Sequence, residues 1–355
     1  MPAIAPRLAA ALLALSLATG AAIAETRVAS WNIEHLGWEN GKDYAALAEV
    51  GAGFHLIAVQ EVMSQDGLDA FERALEARTG ADWQVLVSDA VGRGSYREMH
   101  AFLWRPEEVR WVDGAALYLD DRDAFAREPF SARFETAEGF LFTLASVHLI
   151  YGDSEAERER EAAALAAYRD WLDESFPGTP AFIAGDFNLP PSNPAWAGLG
   201  AKASPLIRGG ATTLSPVDGR FASLYDNIWA PSGISLPVSD WGILEYPEEI
   251  LGIDHETARD RVSDHAPVWM TIDARSGHST FPPLHEARIV ADAGDTTRDA
   301  APPALPATFR GNRASGIYHR PDCPGFARIS AHNAVTFSSA AEAAAAGFRI
   351  AKNCP

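Results

Sequence analysis

Five places in this 355-residue chain set acids, amides or imidazoles at the ends of short apolar runs. Asn32 follows Val28-Ala29-Ser30-Trp31, Glu61 lies in Val59-Gln60-Glu61-Val62, and His148 follows Leu144-Ala145-Ser146-Val147. Asp186 and Asn188 share Gly185-Asp186-Phe187-Asn188, while Asp264 and His265 share Ser263-Asp264-His265-Ala266-Pro267. In a layered fold, chain leaving a packed strand is where a site is usually built. Glu61, Asp186 and Asp264, with amide oxygens from Asn32 and Asn188, form an all-oxygen set. Such a set suits a hard cation: Mg²⁺ first, with Mn²⁺ or Ca²⁺ as alternatives. Without an ion, clustered carboxylates repel one another and take up protons. His148 and His265 add groups that hold or move a proton near neutral pH. By contrast, His35, His55, His255, His278 and His285 read as solvated or structural.

The elements that must position these residues run from Glu25 to about Asp273. Strand-like apolar runs occupy 26–32, 55–62, 83–88, 100–104, 130–134, 140–148, 181–187, 224–230 and 268–272. Helical periodicity marks 44–50, 68–78 and 155–174, the last with Leu165, Tyr168 and Leu172 at core-facing spacing. Interleaved strands and helices argue for sheets covered by helices, an α/β or α+β arrangement and not a bare sandwich. With 47% of residues apolar, a large core can form.

Residues 1–24 read as an export signal. Arg7 precedes an apolar run from Leu8 to Leu17, and Ala22-Ile23-Ala24 forms a small-x-small cleavage site before Glu25. The run is shorter than the ~20 residues a bilayer span needs. The expected mature protein is therefore periplasmic or extracellular and not integral to a membrane, and a monomer is expected. Residues 274–308, rich in Pro, Ala, Asp and Arg, read as a linker, and 309–355 as a small module with a helix over 338–346. Forty-eight acids against 29 bases give a formal charge of −19, which excludes capture of nucleic acid by a broad cationic face. Any such substrate is expected to be held weakly and briefly, with bound cations setting the local field.

Together and in order, these motifs resemble the endonuclease/exonuclease/phosphatase superfamily, and deoxyribonuclease I-like members in particular. The resemblance covers roughly residues 26–273. It extends to Val91-Gly92-Arg93-Gly94-Ser95-Tyr96-Arg97-Glu98-Met99-His100-Ala101-Phe102-Leu103-Trp104-Arg105-Pro106, to Phe125-Ala126-Arg127-Glu128-Pro129 and to Leu224-Tyr225-Asp226-Asn227-Ile228. It implies an α+β fold, a two-sheet β-sandwich flanked by helices in four layers, followed by a small α/β module. The implied activity is metal-dependent endonucleolytic hydrolysis of DNA to 5′-phosphate and 3′-hydroxyl ends. Asn32, Glu61 and Asp264 are the implied metal residues. The resemblance further implies that His148 pairs with Glu98, as general acid, and His265 with Asp226, as base or electrostatic partner. By the same resemblance Asp186 and Asn188 are expected to orient phosphate and water, Arg127 to clamp phosphate, and Tyr96 to stack in or against the minor groove. Abasic-site endonucleases usually carry a tyrosine where His148 stands, which disfavours a repair enzyme. Unlike animal deoxyribonuclease I, this catalytic region has no cysteine, and Asn227 stands where arginine is common.

The tail resembles the zinc-binding domain of the Ada repair protein, through Gly316-Ile317-Tyr318-His319-Arg320-Pro321-Asp322-Cys323-Pro324 and Lys352-Asn353-Cys354. Of the four ligand positions, His319, Cys323 and Cys354 could ligate and Ala351 could not. A structural zinc site wants four ligands, so a Cys323–Cys354 disulfide, suited to an exported chain, is expected over Zn²⁺. Two rivals remain. One is a secreted phosphodiesterase on another substrate such as sphingomyelin, with Trp241-Gly242-Ile243-Leu244-Glu245-Tyr246 as its membrane-contacting element. The other is a non-catalytic DNA-binding or adhesion protein.

Overall fold

The computed structural model describes residues 25–275 and 278–284. In the tail it describes 309–312, 317–320, 334–337 and 348–351, with Ala340, Ala343 and Ala346. The expected export signal, most of the expected linker and the expected 338–346 helix, Cys323 and Cys354 lie outside the described residues.

Chain order runs β1 (Thr26–Leu36), α1 (Tyr44–Gly51), β2 (Leu56–Val62), α2 (Gln65–Thr79), β3 (Gln84–Val87), β4 (Met99–Trp104), β5 (Val109–Leu117), β6 (Phe130–Thr136) and β7 (Leu141–His148). It continues through α3 (Glu155–Ser175), β8 (Ala181–Asp186), α4 (Ala197–Gly200), β9 (Ala203–Pro205), β10 (Asp226–Pro231), β11 (Ser235–Leu236), β12 (Val238–Ile243), α5 (His255–Arg261), β13 (Val268–Ile272) and β14 (Ser279–Thr280). Two six-stranded sheets form, ordered β12-β13-β1-β2-β4-β3 and β5-β6-β7-β8-β10-β9. The main helices begin at side-chain caps, as their sequences require. Asp43 accepts from Ala46 N, Ser64 from Gly67 N and Ser154 from Glu157 N.

Period-two alternation sorts each central strand between two cores. Ala29, Trp31 and Ile33 face α1 and α2, whereas Val28 packs with Leu56, Phe102, Phe142 and Phe182 between the sheets. On the second sheet Ala145, Val147 and Ile183 face Leu165, Tyr168 and Leu172 of α3. The result is four layers, helix on sheet on sheet on helix.

The layer between the sheets grades from apolar to polar towards one end. Inward positions run Val28, Ser30, Asn32 on β1 and Leu56, Ala58, Gln60 on β2. They run Phe142, Leu144, Ser146, His148 on β7 and Phe182, Ala184, Asp186 on β8. Where the gradient turns polar, the sheets are stitched by hydrogen bonds. Gln60 Nε2 donates to Ser146 Oγ (2.9 Å) and Ser30 Oγ (3.2 Å), and Ser146 Oγ lies 3.0 Å from His100 Nδ1. Burial lowers the His100 pKa to about 4, so this ring is a neutral member of the bridge.

Two compact units divide the chain, residues 1–214 with 221–284, and 215–220 with 285–355. In the second, β15 (Phe309–Asn312), β16 (Ile317–His319), β17 (Ala334–Phe337) and β18 (Arg349–Ile350) form a sheet ordered β17-β15-β16-β18. Tyr318, Phe337 and Ala343 make its small core, and His319 sits opposite Arg310.

His55 carries a testable pH dependence. Its Nδ1 accepts from Arg27 N (2.9 Å), and burial, with Arg105 and Arg27 nearby, lowers its pKa from 6.5 to about 4. Between those values the unfolded chain binds a proton that the native state refuses, so stability falls as pH drops through that window. Discounted for partial exposure, the loss is on the order of 2 kcal/mol. His55→Asn, whose Oδ1 can accept the same N–H, should make the urea midpoint fall less steeply between pH 6.5 and 4, His100 still contributing its share. An unchanged profile would contradict the assignment.

Candidate active site

Register brings the polar strand ends together. On the second sheet His148 lies opposite Asp186 across the parallel β7–β8 pair, and Asp226 lies opposite Asp186 across the antiparallel β8–β10 pair. On the first sheet Asn32 pairs with Gln60 before the β1–β2 register shifts. Strict alternation would send Glu61 to the helix side with Ile57 and Val59. Its left-handed backbone (φ 60°) instead turns the carboxylate back, where Asn32 Nδ2 donates to Oε1 and His35 N to Oε2, both at 3.0 Å. Asn188 is also left-handed (φ 49°), with its N donating to Asp186 Oδ1 (2.9 Å) and its Nδ2 to Leu149 O (2.8 Å). Such conformations cost about 1–3 kcal/mol each and persist only where surrounding bonds over-determine them.

Two histidine dyads converge on one carboxylate. His148 Nδ1 donates to Glu98 Oε1 (2.7 Å), and its Nε2 lies 3.6 Å from Asp186 Oδ2. His265 Nδ1 donates to Asp226 Oδ2 (2.7 Å), and its Nε2 lies 3.7 Å from the same Asp186 oxygen. Burial opposes charge on both rings, but the neighbouring carboxylates outweigh it. The His148 pKa is raised, chiefly by Glu98, and that of His265 is raised well above 6.5 by Asp226, Asp186 and Asp264. Burial would lift Glu98, yet His148 and Arg127 hold it down at about 2. Asp186 is raised by burial and by Asp226, against the pull of the two histidines.

The loop carrying His265 is pinned to β1. Ser263 Oγ donates to Asn32 O (2.7 Å), His265 N to Ser263 Oγ (3.0 Å), and Trp31 Nε1 to His265 O (2.8 Å). Asp264 lies at the rim, 3.8 Å from His265 Nε2 and 3.5 Å from Arg259 Nη1.

Several residues sit differently from expectation. Arg127 is anchored from behind: Nε donates to His148 O (2.9 Å) and Nη2 to Leu149 O (2.8 Å), with Glu98 at 3.7 Å. It braces the His148 dyad. Asn32 turns its nitrogen, not its oxygen, to the carboxylates, because Oδ1 accepts from Glu34 N (2.9 Å). Asn227 is buried and bonds both N and O of Ile207, which removes it from any groove contact. Tyr96 stands at the rim, edge-on to the rings of His35 and Trp38. His35, read as solvated or structural, lies 3.4 Å from Glu61 Oε2. Its position three residues after Asn32 on the same strand end was the available signal.

Asp186, Asp226 and His265 each offer an atom within 4.8 Å of the others, a group able to hold an ion. His265 Nδ1 and Asp226 Oδ2 already bond each other, so an ion seated there through those atoms would break the dyad.

The family model described as "Endonuclease/Exonuclease/phosphatase family" matches residues 29–265, two thirds of the chain and every one of these positions. The chain belongs to this family. Among the family's relatives, a protein called deoxyribonuclease from Thioalkalivibrio sp. (strain K90mix) is 48% identical over 295 residues, 80% of this chain and 79% of that one. Human deoxyribonuclease-1 is 30% identical over 194 residues, 50% of this chain and 65% of that one. A family protein from Leptotrichia buccalis C-1013-b superposes with a TM-score of 0.52 at 18% identity, covering 70% of this chain and 99% of that one. This likeness supports the shared four-layer fold alone. The tail matches a different model from the expected Ada type: one described as ArfC, over residues 286–350, beginning inside the stretch read as linker.

Gly185 sets the spacing of β7 and β8 beside this site. At φ 150°, a Cβ there would stand 1.9 Å from Val147 O. Gly185→Ala should therefore push Asp186 away from His148, lower the urea midpoint by the equivalent of about 3 kcal/mol or more, and abolish turnover. A variant as stable and active as wild type would show that this approach is not required.

Proposed function

We propose that this chain is a secreted, divalent-metal-dependent endonuclease that hydrolyses DNA to 5′-phosphate and 3′-hydroxyl ends. The observation that carries the reading is the pair of carboxylate-backed imidazoles aimed at Asp186 in a family whose 48%-identical member is called a deoxyribonuclease. Export rests on Arg7, the Leu8–Leu17 run and Ala22-Ile23-Ala24.

The donor chemistry fits a hard cation. Among the described residues Glu61 bonds amide N–H groups and approaches two imidazoles, and Asp264 lies near Arg259 and His265; the single Lys42 ammonium is shared among Glu34, Glu61 and Asp264, so these carboxylates outnumber the fixed cation between them. Glu61 and Asp264 would hold Mg²⁺, with Asn32 orienting Glu61. When bound, the ion would supply charge neutralisation at the phosphate's non-bridging oxygens.

The chain's own residues account for the proton traffic. Asp186, made more basic by burial, takes a proton from the attacking water, while Asn188 Oδ1, free of the bonds its Nδ2 makes, holds that water in line. The new P–O bond forms as the P–O3′ bond breaks. His148, kept protonated by Glu98, gives the leaving 3′ oxygen its proton. His265 stays charged beside the phosphate, the electrostatic role its raised pKa favours. Contacts to backbone rather than base edges would leave little sequence preference.

A lipid substrate is less well supported. In Trp241-Gly242-Ile243-Leu244-Glu245-Tyr246, Leu244 and Tyr246 are buried, Tyr246 Oη donates to Ser263 O (2.5 Å), and Trp241 packs against Phe281. That stretch supports the His265 loop. No described helix is long and apolar enough to cross a membrane.

Purified protein incubated with plasmid DNA and with sphingomyelin, with and without chelator, tests this reading. DNA cleavage lost on chelation is expected, with His148→Ala and His265→Ala each slower by roughly 10²-fold or more while the fold stays intact by circular dichroism. Lipid cleavage without DNA cleavage would overturn the nuclease assignment, and inertness to both would favour a binding or adhesion protein.

A further inference from the structure

Beside the pocket an aromatic side chain is displayed and not buried. Trp38 is 48% exposed, and its indole stacks on the His35 imidazole with ring centroids 4.2 Å apart and planes 7° from parallel. Tyr96 meets the pair edge-on, its centroid 6.1 Å from His35 and 6.2 Å from Trp38. Among the described residues no other ring packs on the indole.

The loop that presents Trp38 is built to hold it still. Glu34 and His35 both take left-handed backbone (φ 41° and 57°), as does Gly37 (φ 95°), where a Cβ would fall 2.2 Å from Ser64 Oγ at the start of α2. Trp38 N donates to His35 O (3.1 Å), and Asn40 Nδ2 to the same oxygen (3.2 Å). His35, the ring beneath the indole, is itself tied to Glu61 through its backbone N (3.0 Å) and Nε2 (3.4 Å), and Glu61 Oε1 lies 3.9 Å from His148 Nε2. A strained turn thus leads directly from the reacting centre to an ordered, open indole.

Beyond the ion and the imidazoles at the reacting phosphate, charge supplies little that holds a polyanion here. The chain carries −19 overall. The basic residues in the pocket's own network are engaged: Lys42 with Glu34 and Val262 O, Arg127 with two carbonyls, Arg259 with Leu214 O and Asp264. A neutral stacking surface attracts a nucleobase without a phosphate contact, because every base has a π face.

We infer that Trp38, backed by His35 and flanked by Tyr96, is a stacking platform for one unpaired DNA base beside the scissile phosphate. This rests on the nuclease reading and deepens it. A base inside an intact duplex is covered on both faces, so the platform selects single-stranded, gapped or frayed DNA.

Binding measured in EDTA separates capture from cleavage. A single-stranded oligonucleotide carrying 2-aminopurine, and the same sequence as a blunt duplex, are titrated with full-length wild type, Trp38→Ala and Trp38→Phe. Trp38→Ala should weaken single-strand binding about tenfold and duplex binding less than twofold, with Trp38→Phe retaining most of the affinity. With metal restored, the loss on single strands should appear in KM more than in kcat. If wild type cleaves DNA but Trp38→Ala binds both forms as wild type does, or weakens both equally, the platform is refuted while the nuclease reading stands. If wild type cleaves no DNA of any form, both fall.

Discussion

The geometry of the pocket depends on one buried carboxylate shared between two imidazoles. Asp186 Oδ2 stands 3.6 Å from His148 Nε2 and 3.7 Å from His265 Nε2, and each ring is pinned from behind by a 2.7 Å bond to its own acid. A carboxylate in that position is costly to desolvate and is tolerated only because both neighbours are cationic when protonated. Removing one dyad would leave the other charge imbalanced. That coupling is why Glu98, Asp226 and Arg127, which need not touch a substrate, belong to the same unit as the histidines they hold.

The fold prepares this unit by grading the layer between its sheets. Apolar inward positions give way to Ser30, Gln60, Ser146 and His100, and then to Asn32, His148 and Asp186, so the polar groups solvate one another before they reach water. The gradient would by itself leave Glu61 on the wrong face. A left-handed residue and a register shift bring it back, and the same device recurs at Glu34, His35 and Asn188. Four of the six non-glycine residues with positive φ among those described therefore flank one pocket, consistent with strain concentrated where function requires unusual side-chain directions.

Much of this was legible in sequence wherever one face of an element is buried. The runs at 26–32, 140–148, 181–187 and 268–272 became strands β1, β7, β8 and β13, and Leu165, Tyr168 and Leu172 do line the buried face of α3. Of the edge strands, β3 was legible at 83–88 but β5 and β12 were not. Residues of β5 and β12 are largely exposed on both faces, so no alternation marks them, and α5 is a polar single stretch, His255 to Arg261. At the site, residue types and strand-end positions singled out both histidines, and the family resemblance supplied their partners Glu98 and Asp226, but side-chain direction was hidden. The turned amide of Asn32, the carbonyl-bound Arg127 and the arrival of His35 beside Glu61 all follow from local backbone, which no periodicity encodes.

The tightly backed, converging imidazoles are most directly tested by ¹⁵N NMR of ring nitrogens across a pH titration of histidine-labelled protein in EDTA. Both His148 and His265 should keep Nδ1 protonated throughout and remain doubly protonated above pH 6.5, His265 to the higher pH. Rings that lose a proton near 6.5, or that settle as Nε2–H tautomers with Nδ1 bare, would contradict the account.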